Sequence, residues 1–334
     1  MTSRSPTPET INRLRGAVNP SYALLAGVQL GVFTALKDGA MTAQQIAVNL
    51  AVHAGKLEVL LCALVPTGLL QLESEKFSNS AEADSFLVRG LPGYLGDGYE
   101  NTASERWTAI LRTADSIREG TAKAKMDYVN ANEEELNAHY QMFFDATQAR
   151  GRSLAARFDF SDRRRLLDVA GGTGGLAIAL TAAYPNLSAT VVDLPSVTPT
   201  TQRYVDAADA GGRVKIVSAD VIAGPLEGSY DVAVVGAFLP VISVADARRA
   251  LMNVGAVMEP GGDIYISDTG TVDDYKTSPP EIALSSLYFV NAFDEGGPKT
   301  ESDRRRWLEE AGFENIRRLP FPEGGSIMTA RKAG

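Results

Sequence analysis

Three hydrophobic patterns follow one another along the chain. From Pro20 to Leu87 apolar residues recur at helical spacing in YALLAGVQLGVFTAL, TAQQIAVNL and KLEVLLCALVPTGLLQL. The turn-rich LESEKFSNSAEADSFL that follows assigns Phe77 and Phe86 to a small hairpin. Three helices and a hairpin predict a mainly helical, winged-helix-like module over residues 1–100. Residues 101–157 read as a helical connector, with helices at 104–119 and 133–157. In the second, Tyr140, Phe143, Phe144 and Thr147 share one face, as core packing or as the wall of a substrate pocket. From Arg165 the pattern changes to short β-branched runs, RLLDVA, ATVVDL, VKIVSA, DVAVVGA and DIYISDT, separated by helical stretches. That alternation predicts an α/β domain over 158–334, with a mostly parallel sheet covered on both faces. The helix TESDRRRWLEEAGF and two further strands, NIRRLPF and SIMTARK, close the chain.

Composition narrows the function. The 334 residues are 45% apolar, enough for two domains with their own cores. A net charge of −9 argues against a nucleic-acid partner, and the candidate recognition helix AGKLEVLLCALVPTG carries one Lys and no Arg. It suits packing or dimerisation. One cysteine, Cys62, and two histidines, His53 and His139, exclude an intramolecular disulfide and make a Cys/His zinc site implausible, so no metal is expected. No run approaches the ~18 apolar residues of a membrane span. The N-terminal MTSRSPTPET lacks the apolar stretch of a signal peptide, so the cytoplasm is the expected location.

The strongest motif is LLDVAGGTGGLAIAL, a strand, a glycine turn and the start of a helix near Gly175. Such a turn lets a ligand approach the backbone and meet free N–H groups at the helix N-terminus. Asp193 in VVDLP ends the next strand, where an acid can accept hydrogen bonds from ribose hydroxyls. Gly172, Gly174 and Ala177 also satisfy the dinucleotide fingerprint, which keeps an NAD-dependent dehydrogenase open. Two further acids favour another ligand. Asp168 stands before the glycines, placed for a ligand ammonium, and Asp220 ends the following strand beside apolar Val221, which suits an adenine edge. Three acids at successive strand ends suit cationic, ribose-bearing S-adenosylmethionine (SAM) better than a pyrophosphate.

The order of LGVFTAL, GLLQ, LLDVAGGTGG, VVDLPSV, GRVKIVSAD, DVAVVG, MEPGGDIYISD and GGPKTESDRRRWLEEAGF resembles the small-molecule O-methyltransferase family of caffeate and acetylserotonin methyltransferases and their bacterial branch. The resemblance spans nearly the whole chain. It implies a class I methyltransferase (Rossmann-like) seven-stranded sheet with an antiparallel last strand, and an N-terminal winged-helix-like dimerisation domain that makes a homodimer. It also implies that Gly171, Gly172 and Gly174, Asp193 with Leu194, and Asp220 with Val221 hold SAM. One element departs from the family. Its members carry L-H-D-W after the strand matching DVAVVG, and that histidine is the general base. Here Pro240 stands at the histidine, Val241 at the Asp and Ile242 at the Trp, while Gly236 replaces a common adenine-side lysine. Asp268 matches the first of two base-orienting glutamates, but Pro298 and Lys299 fall at the second.

A phenol with a pKa near 10 is only about 0.1% ionised at pH 7, and without a base it forgoes roughly 10²–10⁴ in rate. A thioether needs no base. Sulfur acceptors, such as a methylthio hydroxy acid, and hydroxyls methylated by proximity both stay open, alongside O-methylation of a phenolic or polyketide natural product. So do a methyltransferase-fold enzyme doing other chemistry with SAM and a ligand-sensing winged-helix regulator. His139 is the candidate substitute base or substrate anchor, with Tyr140 and Asp268 as further catalytic candidates. Tyr140, Phe143, Phe144, Thr147, Tyr288 and Asn291 are the expected acceptor-binding residues, and Arg150 or Arg152 would pair with an acceptor carboxylate. His53 is expected to be solvated or interfacial.

Overall fold

The computed structural model describes residues 6–91, 93–102, 106–125, 127–141, 143–268, 271–320 and 325–334. The chain divides into two compact units, Met1–Trp107 and Thr108–Gly334.

The first unit contains helices α1 (Glu9–Gly16), α2 (Val18–Leu30), α3 (Val32–Ala35), α4 (Ala43–Leu50), α5 (Ala54–Leu64), α6 (Ala81–Phe86) and α7 (Gly96–Thr102). Strands β1 (Met41–Thr42), β2 (Leu70–Glu73) and β3 (Lys76–Asn79) pair antiparallel in the order β1-β3-β2. Val28, Phe33, Ile46, Leu61, Leu64 and Phe77 are buried in its core. The β2–β3 turn uses Ser74 and Glu75 at φ 47° and 66°, the left-handed pair a two-residue hairpin requires. Phe86 departs from its expected place in that hairpin. Ser80 accepts the N–H of Ala83 and starts α6 just after β3, so Phe86 ends a helix and is exposed. His53 is exposed and caps α5 by accepting the N–H of Lys56.

The second unit begins with α8 (Thr108–Ile110) and α9 (Thr113–Glu119), then α10 (Glu133–Gln141) and α11 (Phe144–Arg157), which divide the continuous helix expected over 133–157. The strands that follow are β4 (Arg165–Val169), β5 (Ser188–Asp193), β6 (Val214–Ser218), β7 (Tyr230–Gly236), β8 (Met258–Asp268), β9 (Thr271–Val272), β10 (Lys299–Thr300), β11 (Phe313–Pro320) and β12 (Ser326–Lys332). Between them lie α12 (Gly175–Ala183), α13 (Thr198–Ala207), α14 (Val244–Val257), α15 (Pro280–Ser285), α16 (Leu287–Ala292) and α17 (Glu301–Glu310). The seven-stranded sheet has the order β11-β12-β8-β7-β4-β5-β6, with β12 antiparallel to both neighbours and β8 to β6 parallel. This is the class I methyltransferase sheet.

Both faces of the sheet are buried, and the two-residue period of each strand sorts its side chains between two cores. Val232 and Val234 of β7 join the core that contains Leu154, Leu176 and Leu180 from α11 and α12. Ala233 and Val235 join the one that contains Leu251, Val254 and Trp307 from α14 and α17. The same parity puts Asp168 on the face of Leu166, and Asp193 on the face of Val191. Both acids therefore point toward α12, from adjacent parallel strands. β4 lies between β5 and β7, where the crossovers diverge, so the ligand crevice belongs outside the C-terminal ends of these strands.

At Gly255, α14 packs tightly against the residue that caps α17, and a Cβ would lie 2.4 Å from the Ala311 carbonyl oxygen. Gly255→Val is expected to destabilise the protein by about 1–3 kcal/mol through overpacking, read as a fall in Tm. An unchanged Tm would show that these helices separate freely.

Candidate active site

The chain leaves β4 through Ala170 at φ 50° and turns at Gly171–Gly174 into α12. Gly171 is dictated by close approach, since a Cβ would stand 2.7 Å from Val191 Cγ1 and 2.8 Å from Asp168 Cγ. Gly172, at φ 55°, donates its N–H to Asp193 Oδ2 at 2.7 Å, and its carbonyl accepts from the Thr201 hydroxyl at 2.5 Å. Asp193 Oδ1 accepts the N–H of Leu194 at 2.8 Å. Asp168 Oδ2 accepts the N–H of Ala177, in the first turns of α12, at 3.2 Å.

Both carboxyls are almost wholly buried, at 2% and 6% exposure. Burial raises Asp168 to about 7, with Asp193 nearby adding to the rise and the Ala177 N–H opposing it. Burial likewise raises Asp193 to about 6 against the N–H groups of Gly172 and Leu194. Two buried carboxylates beside a helix N-terminus suit a ligand that brings positive charge and hydroxyl donors, as SAM does with its ammonium and ribose. Asp220, after β6, is exposed and accepts the N–H of Ile222 at 2.8 Å. Val221 points its side chain into the core, and its carbonyl accepts from Asn253. That side chain is therefore packed inward rather than open to an adenine ring.

The expected aromatic stripe separates at the α10–α11 break. Phe144 stacks on Tyr204, with centroids 4.4 Å apart, and packs against the core. Thr147 donates to the Phe144 carbonyl and meets the Thr173 hydroxyl at 3.2 Å, so it packs α11 against the glycine turn. Tyr140 lies over the turn, with its Cε1 2.7 Å from where a Gly172 Cβ would be. Burial, with Asp193 and Tyr128 close by, pushes its phenol well above the ordinary tyrosine range. That environment disfavours a phenolate at Tyr140.

His139 packs its ring against Tyr140 at 5.3 Å and Phe143 at 5.1 Å. Its Nε2 shares a 3.1 Å hydrogen bond with the Tyr128 hydroxyl. Tyr128 has no periodic signal in its turn-rich segment; only the structure brings it here, anchored by the Ser196 hydroxyl on its carbonyl at 2.6 Å. Its ring is parallel to Phe293 within 5°, with centroids 6.4 Å apart, and Tyr288 meets Phe293 edge-on.

Asn291 is fully buried and ties α9 to α16. It accepts from Ser116 and donates to the Thr113 hydroxyl and the Leu287 carbonyl, so it serves the scaffold rather than an acceptor. Arg150 donates to the Ser267 carbonyl at 2.8 Å, and Arg152 is exposed. The side chain of Asp268 lies outside the described residues. Pro240 sits in a buried 3-10 turn, Leu239–Val241, whose Pro240 carbonyl accepts from Gly297 N. Lys299, buried where the family has a carboxylate, donates its Nζ to the Ile242 carbonyl at 2.7 Å.

A family model for the O-methyltransferase domain matches residues 118–314, and one for the O-methyltransferase dimerisation domain matches residues 14–89. The chain belongs to this O-methyltransferase family. It is similar to a 3-hydroxy-5-methyl-1-naphthoate 3-O-methyltransferase of Streptomyces sahachiroi, with 31% identity over 96% of this chain and 93% of the relative. It is also similar to the tetracenomycin polyketide synthesis 8-O-methyl transferase TcmO of Streptomyces glaucescens, with 28% identity over 97% of each. The human N-acetylserotonin methyltransferase, solved in complex with SAM, shares the fold at a TM-score of 0.79 and 23% identity, covering 100% of both chains. The protein is a SAM-dependent methyltransferase. No single helix among the described residues of this methyltransferase is long and apolar enough to cross a membrane.

The folded methyltransferase holds the Asp168 proton up to about pH 7, whereas an unfolded chain releases it near 3.8. The stability this contributes is complete below the unfolded value and is lost as pH rises through the folded one. Asp168→Asn is therefore expected to gain Tm relative to the unsubstituted protein between about pH 5 and about pH 8 when no ligand is added. A difference that stays constant across that range would show the carboxylate ionised throughout.

Proposed function

We propose that this protein is a homodimer that transfers a methyl group from SAM to a hydroxyl of a phenolic or polyketide-type aromatic acceptor. The observation that carries the reading is the buried Asp168–Asp193 pair at the glycine turn, next to the aromatic group of Tyr128, Tyr140 and Phe293. Asp168 would take the methionyl ammonium and Asp193 the ribose hydroxyls, because each carboxylate keeps acceptor capacity beyond the N–H groups it already binds. Gly171, Gly172 and Gly174 would leave the backbone open to the methionyl part, and Leu194, Asp220 and the Val221 backbone would border the nucleoside. Bound SAM supplies an electrophilic methyl group on a sulfonium sulfur. The aromatic side chains would hold a flat acceptor in line with it, and such alignment can supply ~7–11 kcal/mol of the barrier.

The sulfur acceptor suggested by the missing histidine finds no support among the relatives. Those from Streptomyces sahachiroi and Streptomyces glaucescens are named for O-methyl transfer to a hydroxynaphthoate and in tetracenomycin polyketide synthesis. The dimerisation-domain match supports the homodimer, as do Ile11, Leu14, Val18 and Tyr22, which expose apolar side chains along α1 and α2.

Incubating the protein with SAM and 3-hydroxy-1-naphthoate is expected to yield S-adenosylhomocysteine and the methyl ether by mass spectrometry. Thermal protection by NAD rather than SAM would sink the reading, and turnover of thioethers but no hydroxyarene would move the acceptor back to sulfur. Asp193→Ala is expected to weaken SAM binding at least about 10-fold in calorimetry, in keeping with loss of charge-assisted hydrogen bonds.

A further inference from the structure

We propose that Tyr128 and His139 together form the base that receives the acceptor's proton, reached from the connector instead of from the turn after β7. The inference rests on the O-methyltransferase reading above and adds the proton acceptor that reading lacks.

The turn after β7 offers no base. Pro240 has no ionisable group, its carbonyl is taken by Gly297 N at 2.8 Å, and Lys299 closes the turn on the Ile242 carbonyl. The same turn nevertheless reaches the dyad through one packed contact. Gly296 lies against both the Pro240 carbonyl and Phe293, where a Cβ would stand 3.1 Å from one and 2.6 Å from the other's Cβ. Phe293 in turn aligns its ring with Tyr128. From the cofactor side, Ser196 holds the Tyr128 carbonyl three residues after Asp193, and the Thr200 hydroxyl donates to Asn137 of α10 at 2.9 Å. The Tyr128–His139 hydrogen bond is thus fixed between the end of β5 and the turn after β7, on either side of the place where an acceptor would meet the methyl group.

Imidazole is the side chain suited to taking up a proton near neutral pH. The phenols of Tyr128 and Tyr140 face the His139 ring, and Asp193 lies behind Tyr140. Within the group, His139 Nε2 is the ring nitrogen hydrogen-bonded to the Tyr128 hydroxyl, and it is the atom placed to take that proton. The acceptor's hydroxyl proton passes to the Tyr128 oxygen as the Tyr128 proton passes to His139 Nε2. Tyr128 ends neutral, His139 ends as imidazolium, and the acceptor has exchanged a proton for a methyl cation. The imidazolium returns its proton to solvent after the methyl ether leaves.

The test uses the full-length protein turning over SAM with 3-hydroxy-1-naphthoate. His139→Gln and Tyr128→Phe should keep the Tm of the parent and its affinity for S-adenosylhomocysteine, so that a lost rate reports the proton transfer. In turnover with SAM, His139→Gln should lose roughly 10²–10⁴ in kcat. Its rate should recover toward pH ~10, where a hydroxyarene ionises unaided. Parent-like turnover in His139→Gln, or a loss that does not recover toward pH ~10, would overturn the dyad alone. Failure of the parent to bind or methylate any hydroxyarene while it still binds SAM would overturn the acceptor reading and the dyad with it.

Discussion

The hydrogen bond from the Gly172 N–H to the buried Asp193 carboxylate fixes the glycine turn against the end of the neighbouring strand. The placement of the glycine turn depends on that bond. It requires a turn residue able to adopt φ 55°, a carboxylate on the α12 face of β5, and β4 and β5 parallel in a register that sets Asp168 opposite Val191. A carboxylate this deeply buried costs folding free energy unless its lone pairs are taken up. The backbone N–H groups meet part of that need, and a cationic, hydroxyl-rich ligand would meet the rest. The strain of holding two such acids side by side is therefore also the specificity for what binds there.

The aromatic cluster proposed to hold the acceptor follows another logic. It is built from side chains without regular spacing, Tyr128 in a turn, His139 and Tyr140 on α10, and Phe293 after α16, drawn together by ring packing and by hydroxyl bonds from the β5–α13 region. Replacing the family's histidine with Pro240 did not leave a gap. The turn closed on itself through Gly297 and Lys299, and the remaining histidine of the second unit lies in the aromatic cluster packed over it. An imidazole carried by a separate helix would depend on that helix being docked before the reaction begins.

How much of this was legible in the sequence can be argued residue by residue. The two-domain order and the seven-stranded sheet followed from hydrophobic periodicity and from motif order, because burial on both faces of a parallel sheet leaves unbroken β-branched runs. Asp168 and Asp193 were legible because a glycine turn after one strand and an acid after the next is a spacing with a chemical reason. Phe86 was misplaced because Ser80 starts a helix immediately after β3, a capping signal that outweighed the hairpin's continuation. Phe144 and Thr147 were candidates for an acceptor site because their spacing puts them on one helix face with Tyr140, and Asn291 was a further candidate. The structure spends them on packing, on the glycine turn and on joining α9 to α16. Lys299 was legible only as standing where a glutamate is expected, and Thr201 not at all, until the fold showed which carbonyls they meet.

The sequence by itself determined the fold class through its hydrophobic period and the family through the order of its motifs, and it offered Asp168 and Asp193 at two strand ends as the residues proposed to hold a cationic nucleoside ligand. It also showed, through Pro240, that the customary base is missing. Only the tertiary structure decided that His139 meets Tyr128, because the two come together from a turn and a helix whose separation along the chain carries no periodic signal. Whether a side chain faces a ligand or a neighbouring helix is set by the packing of distant segments, and no local pattern records it.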